Sequence, residues 1–193
     1  MGKVSFDISM SLDGFITGAN RRSDEPLGDG GEQLHEWAFD SDDEYNRKLL
    51  EESIASLGAV IAGRSTYEDA IPGWKADGPT GSARVPVFVV SHTMPDDIPE
   101  GGVYTFVDGI ENALVRAQAA AGDKDISVMG GAKIAQQFIK AGLLDEISIH
   151  LVPVLFGSGT RLIEGLGGEH IQLETTEVME TKEAIHLRFR VIR

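Results

Sequence analysis

The stretch ISVMGGAKIAQQFIKAGLLDEI, residues 126–147, decides the fold. Ile126–Met129 is a short apolar run, the pattern of a strand buried on both faces. Gly130-Gly131 interrupts it. A helix is then expected from about Ala132 to Ala141, with Ile134, Phe138 and Ile139 inward and Gly142 as its stop. A second strand, Ile147 to Leu155, follows. A strand, a helix and another strand in this order argue an α/β domain with a mostly parallel sheet.

The same grammar extends outward. Upstream, Lys3–Leu12 alternates Val4, Phe6, Ile8 and Met10 with polar residues and reads as a strand, broken at Asp13-Gly14. Asn20–Gly31 reads as a long loop, and Glu32–Phe39 as a short helix. A longer helix is expected to start at an Asp40 or Ser41 cap, with Asp42, Asp43 and Glu44 in its first turn and a stop at Gly58. Ala59–Ala62, Pro86–Ser91 and Val103–Val107 read as further strands. Between the first two, Ser65 is placed to cap a helix that Pro72-Gly73 would end, and Asp108 to cap one from Ile110 to Ala121. Downstream, Ile171–Glu180 and Ala184–Ile192 form a hairpin around Thr181–Glu183. The pattern predicts one α/β domain over residues 1–193, a mostly parallel sheet with an antiparallel C-terminal hairpin.

Composition narrows the function. The chain has 193 residues, a net charge of −14 and no cysteine. The acidic excess disfavours nucleic acid and anionic membranes, which are met through clustered Lys/Arg. Absence of cysteine removes disulfides, thiolate nucleophiles and Cys-ligated metals. No apolar run reaches the roughly 18 residues of a spanning helix, and the amino end has no signal-peptide pattern. The expectation is a cytoplasmic protein.

Three strand ends carry groups suited to a small anion. Gly130-Gly131 lets a diphosphate approach the backbone at a helix start; by itself it is equally a tight turn. Gly63-Arg64-Ser65-Thr66 offers a guanidinium fork and hydroxyls, or only a solvated Arg beside a cap. Ser91-His92-Thr93 ends another buried strand. Ligands of open α/β sheets lie outside the carboxyl ends of the strands, and three such ends together favour a nucleotide-like anion. None of these turns contains an acid. G-x-G-x-x-G, P-loop and G-x-S-x-G frames are absent, and the five histidines are scattered, so no metal site is expected.

The segments MSLDGFITG (10–18), AVIAGRSTYE (59–68), VFVVSHT (87–93), ISVMGGAKIAQQFIKAGLLDEI (126–147) and PVLFGSGTRL (153–162) resemble the dihydrofolate reductase-like superfamily. They are most similar to the reductase domain of the riboflavin-pathway bifunctional deaminase-reductase and its stand-alone relatives. The resemblance implies a mixed eight-stranded sheet flanked by helices, NADPH as cofactor and a homodimer. It matches Gly63, Arg64, Ser65 and Thr66 to the family's first phosphate turn. Arg64, Ser91 and His92 match the group around the adenosine 2′-phosphate. Met129, Gly130, Gly131, Ala132, Lys133 and Ile134 match the second turn, and Ile16, Thr17 and Gly18 the mobile loop over the nicotinamide.

Asp13 matches an acidic position of the riboflavin-type reductases. It is either a proton donor or an Asp-Gly turn fixing the exit of the first strand. Trp37 and Tyr67 are candidates to line the substrate pocket, or core aromatics. The folate-type carboxylate has no clear counterpart among Asp40, Asp42, Asp43 and Glu44. The expected function is an NADPH-dependent reductase delivering hydride to a C=N or C=O of a pyrimidine- or pterin-like substrate, similar to 5-amino-6-(5-phosphoribosylamino)uracil reductase. The alternatives are a non-catalytic NADPH-binding dimeric module, a dihydrofolate reductase, and a nucleotide-binding protein without redox chemistry.

Overall fold

A computed structural model describes residues 2–168 and 170–192. Among these, eight strands form one sheet. Its first six neighbours run parallel: β5 (Tyr104–Val107), β4 (Val87–Val90), β3 (Leu57–Gly63), β6 (Asp125–Met129), β1 (Val4–Ser11) and β7 (Glu146–Val152). β10 (Ile185–Val191) then pairs antiparallel with β7 and with the edge strand β9 (Leu173–Glu180). A small ribbon joins β2 (Phe15–Thr17) to β8 (Thr160–Arg161), a pairing the sequence did not suggest because β8 has only two residues. This is the dihydrofolate reductase-like sheet that the resemblance implied.

The main core lies where α4 (Ile110–Ala121) and α5 (Ala132–Lys140) cover one face, around Phe6, Ile61, Val128, Ile134 and Phe138. On the opposite face α3 (Arg64–Trp74) covers β3 and β4, burying Tyr67 against Val87 and Val89. A smaller cluster of Leu34, Trp37, Val152 and Ala184 sits under α1 (Glu36–Phe39) and α2 (Glu44–Ser56). None of these helices is long and apolar enough to cross a membrane.

Several helix ends differ from expectation. α2 is capped by Asp43, whose carboxylate accepts from Tyr45 N at 2.8 Å, and not by Asp40 or Ser41. Ser41 Oγ instead accepts from Asp43 N, an outer link in the same turn. Gly58 is not a helix stop. It lies inside β3, where a Cβ would meet Ala121 Cα of α4 at 2.7 Å. α3 continues through Pro72, because the lost N–H falls only in the last turn and Lys75 N still donates to Ile71 O. Its cap is Gly63 and not Ser65; that of α4 is Gly109 (φ +80°) and not Asp108.

Register sets up the rest. Ser9 of β1 pairs with His150 of β7, which pairs with His186 of β10. With period-two alternation, Asp7, Ser9, His150 and His186 therefore share one face, the one beneath α1 and α2. On the other face Leu187, Phe189 and Val191 lie against the main core.

Candidate functional site

The carboxyl ends of β4, β3 and β6 lie side by side, and the three anion-friendly turns meet there. The physical links are short. Arg64 Nη1 donates to Ser91 Oγ at 3.2 Å and to Thr93 O at 2.9 Å, tying the β3 turn to the β4 turn. Gly131 N donates to Thr66 Oγ1 at 3.1 Å, tying the β6 turn to α3. A Cβ added at Gly63 would meet Ile134 of α5 only at ordinary contact distance, so the two turns lie close without this position requiring glycine.

Gly130 adopts φ +124°, and any Cβ there would run into Thr66. Only glycine fits. Gly131 faces open space, and neither α3 nor α5 has a side-chain cap. The first amides of both helices thus face this row with their dipole-positive ends. Lys133 and Ser65 are exposed, whereas Met129 is half-buried and Ala132 and Ile134 are core residues.

Acids absent from the turns themselves are supplied by the surrounding fold. Glu68 accepts from Arg64 Nε at 2.7 Å, one helical turn on, and orients the guanidinium. Asp108 contacts His92 Nδ1 at 2.7 Å, both side chains being exposed. A cleft of about 340 Å³ opens beside Arg64, floored by Tyr67 and walled by Ile71 and Met94, with Asp96 and Asp97 at its rim. The Tyr67 hydroxyl is buried in that floor with no hydrogen-bond partner among the described residues. Burial pushes its pKa up. Thr93 was read only as part of the Ser91–Thr93 turn, and Glu68 was not picked out by sequence reasoning. Glu68 was signalled only by its i,i+4 spacing from Arg64.

Asp13 sits at the end of β1, as expected, but is fully engaged. Its carboxylate accepts from Ser11 Oγ (2.7 Å), Gly157 N (2.7 Å) and Phe156 N (3.1 Å), while Arg161 Nη1 donates to its carbonyl. The Ser11 hydrogen bond foremost, then the two amides, hold its pKa down to about 2. Of the two readings of Asp13, this geometry provides the Asp-Gly turn that pins a strand exit.

Ile16, Thr17 and Gly18 are buried, with Thr17 Oγ1 donating to Thr160 Oγ1 at 2.9 Å and Gly18 packed on the Asp29 carbonyl. They form an anchored strand, not an exposed loop. Trp37 and Tyr67 are not brought together. Trp37 donates from Nε1 to Ser9 Oγ at 2.8 Å and lies on the β1–β7–β10 half of the sheet. Tyr67 packs edge-on against Tyr104 and Phe106 on the β3–β4 half.

The sequence pattern of the RibD C-terminal domain family matches residues 2–187, and the chain belongs to that family. It is 26% identical over 187 residues, 97% of each chain, to the uncharacterized protein YwjB of Bacillus subtilis. Among solved structures it is similar to a candidate riboflavin biosynthesis protein of Shewanella sp. PV-4, with a TM-score of 0.73 and 24% identity over the whole of both chains. It is also similar to the diaminohydroxyphosphoribosylaminopyrimidine deaminase/5-amino-6-(5-phosphoribosylamino)uracil reductase of Thermotoga maritima. There the TM-score is 0.68 and the identity 14%, over 99% of this chain and 57% of that one.

Proposed function

We propose that this protein is an NADPH-dependent reductase of a small heterocyclic substrate with a pyrimidine- or pterin-like ring. The observation that carries the reading is the junction of three strand ends: Arg64 joined to Ser91 and Thr93 on one side, and the Gly130-Gly131 cradle joined to Thr66 on the other. The residues fit a dinucleotide phosphate. Gly131 leaves open space for close backbone approach, and the uncapped starts of α3 and α5 offer amide donors on either side of it.

Gly63–Thr66 and Met129–Ile134 would hold the diphosphate. Arg64, with Ser91 and His92, would hold the 2′-phosphate that separates NADPH from NADH. When bound, the cofactor supplies the hydride; this chain's part is to bind and orient. Ile16–Gly18, anchored to β8, would form a fixed wall beside the reacting ring. Asp13 positions the Phe156–Gly157 turn and keeps its charge, so the proton that accompanies reduction reaches the substrate by another route.

The test is NADPH binding by fluorescence, followed by NADPH oxidation with pyrimidine, pteridine and carbonyl acceptors. Binding with turnover on a ring acceptor is expected. Binding without turnover on any acceptor would favour the non-catalytic module, a reading that Asp13's engagement with Ser11, Phe156 and Gly157 supports. Equal competition by ATP would favour a plain nucleotide site. Light scattering checks the homodimer that the resemblance implies.

A further inference from the structure

The five histidines are dispersed in sequence, yet the sheet register brings two of them into contact in its interior. His150 Nδ1 and His186 Nδ1 lie 2.7 Å apart, and both residues are buried at 3% and 4% exposure. His150 Nε2 lies 3.0 Å from an Asp7 carboxylate oxygen. His186 Nε2 lies 3.4 Å from Thr181 Oγ1. Trp37 stacks at 4.1 Å on the His150 ring and edge-on to His186, and so couples α1 to the pair.

One proton arrangement satisfies all of these contacts. The Asp7 carboxylate can only accept, so His150 Nε2 carries a proton. Thr181 Oγ1 donates to Ala184 O, so toward His186 it accepts, and His186 Nε2 carries a second. Two ring nitrogens at hydrogen-bond distance hold one proton between them, which is the third. Three protons on two imidazoles leave one positive charge, facing Asp7. A fourth would set two N–H groups head to head across 2.7 Å with no acceptor between them.

We propose that the His150–His186 pair is an acid-sensitive latch that holds the α1–α2 layer on the sheet while it carries three protons and releases it on taking up a fourth. Polar contacts carry much of this layer's attachment. Tyr45 of α2 donates to Glu177 of β9, and Asn46 Nδ2 to Ser41 Oγ and to Glu183 of the hairpin turn. The groups facing the pair are Asp7 from β1, Asp43 and Tyr45 from α2, Glu177 from β9, Arg188 from β10 and His35 from the turn before α1.

Burial first, then the His150 charge, outweigh the acids and depress the His186 pKa to about 4; His35 is lowered for the same two reasons. The sign follows. A histidine depressed when the layer is closed recovers its ordinary value near 6.5 when it opens. The closed form therefore binds fewer protons, and it loses stability as pH falls from about 6.5 toward 4.

The experiment uses the Trp74→Phe protein, in which Trp37 is the sole tryptophan and its emission reports the layer. Between about pH 7 and pH 5 the opening equilibrium is expected to rise about tenfold, with a red shift of Trp37 emission. His186→Gln, which can still accept from His150 but cannot charge, should flatten that response. An equal response in His186→Gln overturns the latch. Nitrogen-15 histidine spectra of the unmutated chain decide independently of whether the variant folds. Protons on both Nε2 atoms and one shared Nδ1 proton at neutral pH are expected; a bare His186 Nε2, or a fourth proton taken up with α2 amides still protected, overturns it.

Discussion

The sheet has two halves that organise polar groups in opposite ways. In the β5–β4–β3–β6 half the strands themselves are almost wholly apolar and the polar chemistry sits in turns at their ends, made of backbone amides, glycines and a single guanidinium. In the β1–β7–β10–β9 half one face of the strands is polar: Ser9, His150 and His186 are buried there beside a partly exposed Asp7, with His150 bonded to Asp7 and His186 and Ser9 to Trp37. The first arrangement leaves donors facing outward and suits a ligand that comes and goes. The second satisfies its groups internally and suits control of the fold. Buried polar groups are costly only when unpaired, so the halves differ in who supplies the partners: the ligand in one, the protein in the other.

The most severe test of this contrast removes the keystone of the closed half. Trp37→Ala should cost about 3–5 kcal/mol, as expected for emptying an aromatic site, and should unlock the histidine pair; urea unfolding measures it. A loss below about 1 kcal/mol would mean that the layer is not held through Trp37. In the open half, Gly130→Ala must fit a Cβ against Thr66 at a positive φ. It should cost about 1–3 kcal/mol in stability and most of the NADPH affinity, read by calorimetry. If affinity survives, the cradle is only a turn.

Arg64→Ala should weaken NADPH about 10- to 100-fold, the worth of a charge-assisted contact of about 1.5–3 kcal/mol, and leave NADH nearly unchanged. Equal losses for both cofactors would remove the 2′-phosphate assignment.

Asp13 gives a smaller, pH-resolved effect. Its pKa lies below the ordinary carboxylate value in the folded chain, so its contribution is present above about 4 and fades as pH falls toward about 2. Asp13→Asn should abolish that acid-side slope, followed by circular dichroism, without altering the neutral-pH profile of NADPH oxidation. A shifted rate profile near neutrality would restore Asp13 as a proton donor. Smallest of all, Asp108→Asn, at an exposed pair with His92, should change stability by less than about 0.5 kcal/mol.

Legibility in the sequence follows the same division. The open half could be read because its signals are local: an apolar run, a glycine pair and a helix start are adjacent in the chain, and their order predicts parallel strands and a row of ends. The turns at Gly63, Ser91 and Gly130 fell where expected. The closed half could not be read, because His150 and His186 are 36 residues apart and meet only through β7–β10 register. Nothing local marks His186 as buried; its face of the strand is covered only in the tertiary structure. Between the two readings of Asp13 the sequence could not choose, since its carboxylate's partners Phe156 and Gly157 lie 143 and 144 residues further along the chain.

The sequence by itself therefore determined the strand–helix alternation, the family and the positions of the anion-friendly turns, because periodicity and glycine placement act over a few residues. Tertiary structure alone decided which acids stand beside those turns, that the Asp13 carboxylate meets Ser11, Phe156 and Gly157, and that two distant histidines come into contact. Hydrogen bonding and burial between strands depend on register and on what covers each face, and neither is written in any local stretch of the chain.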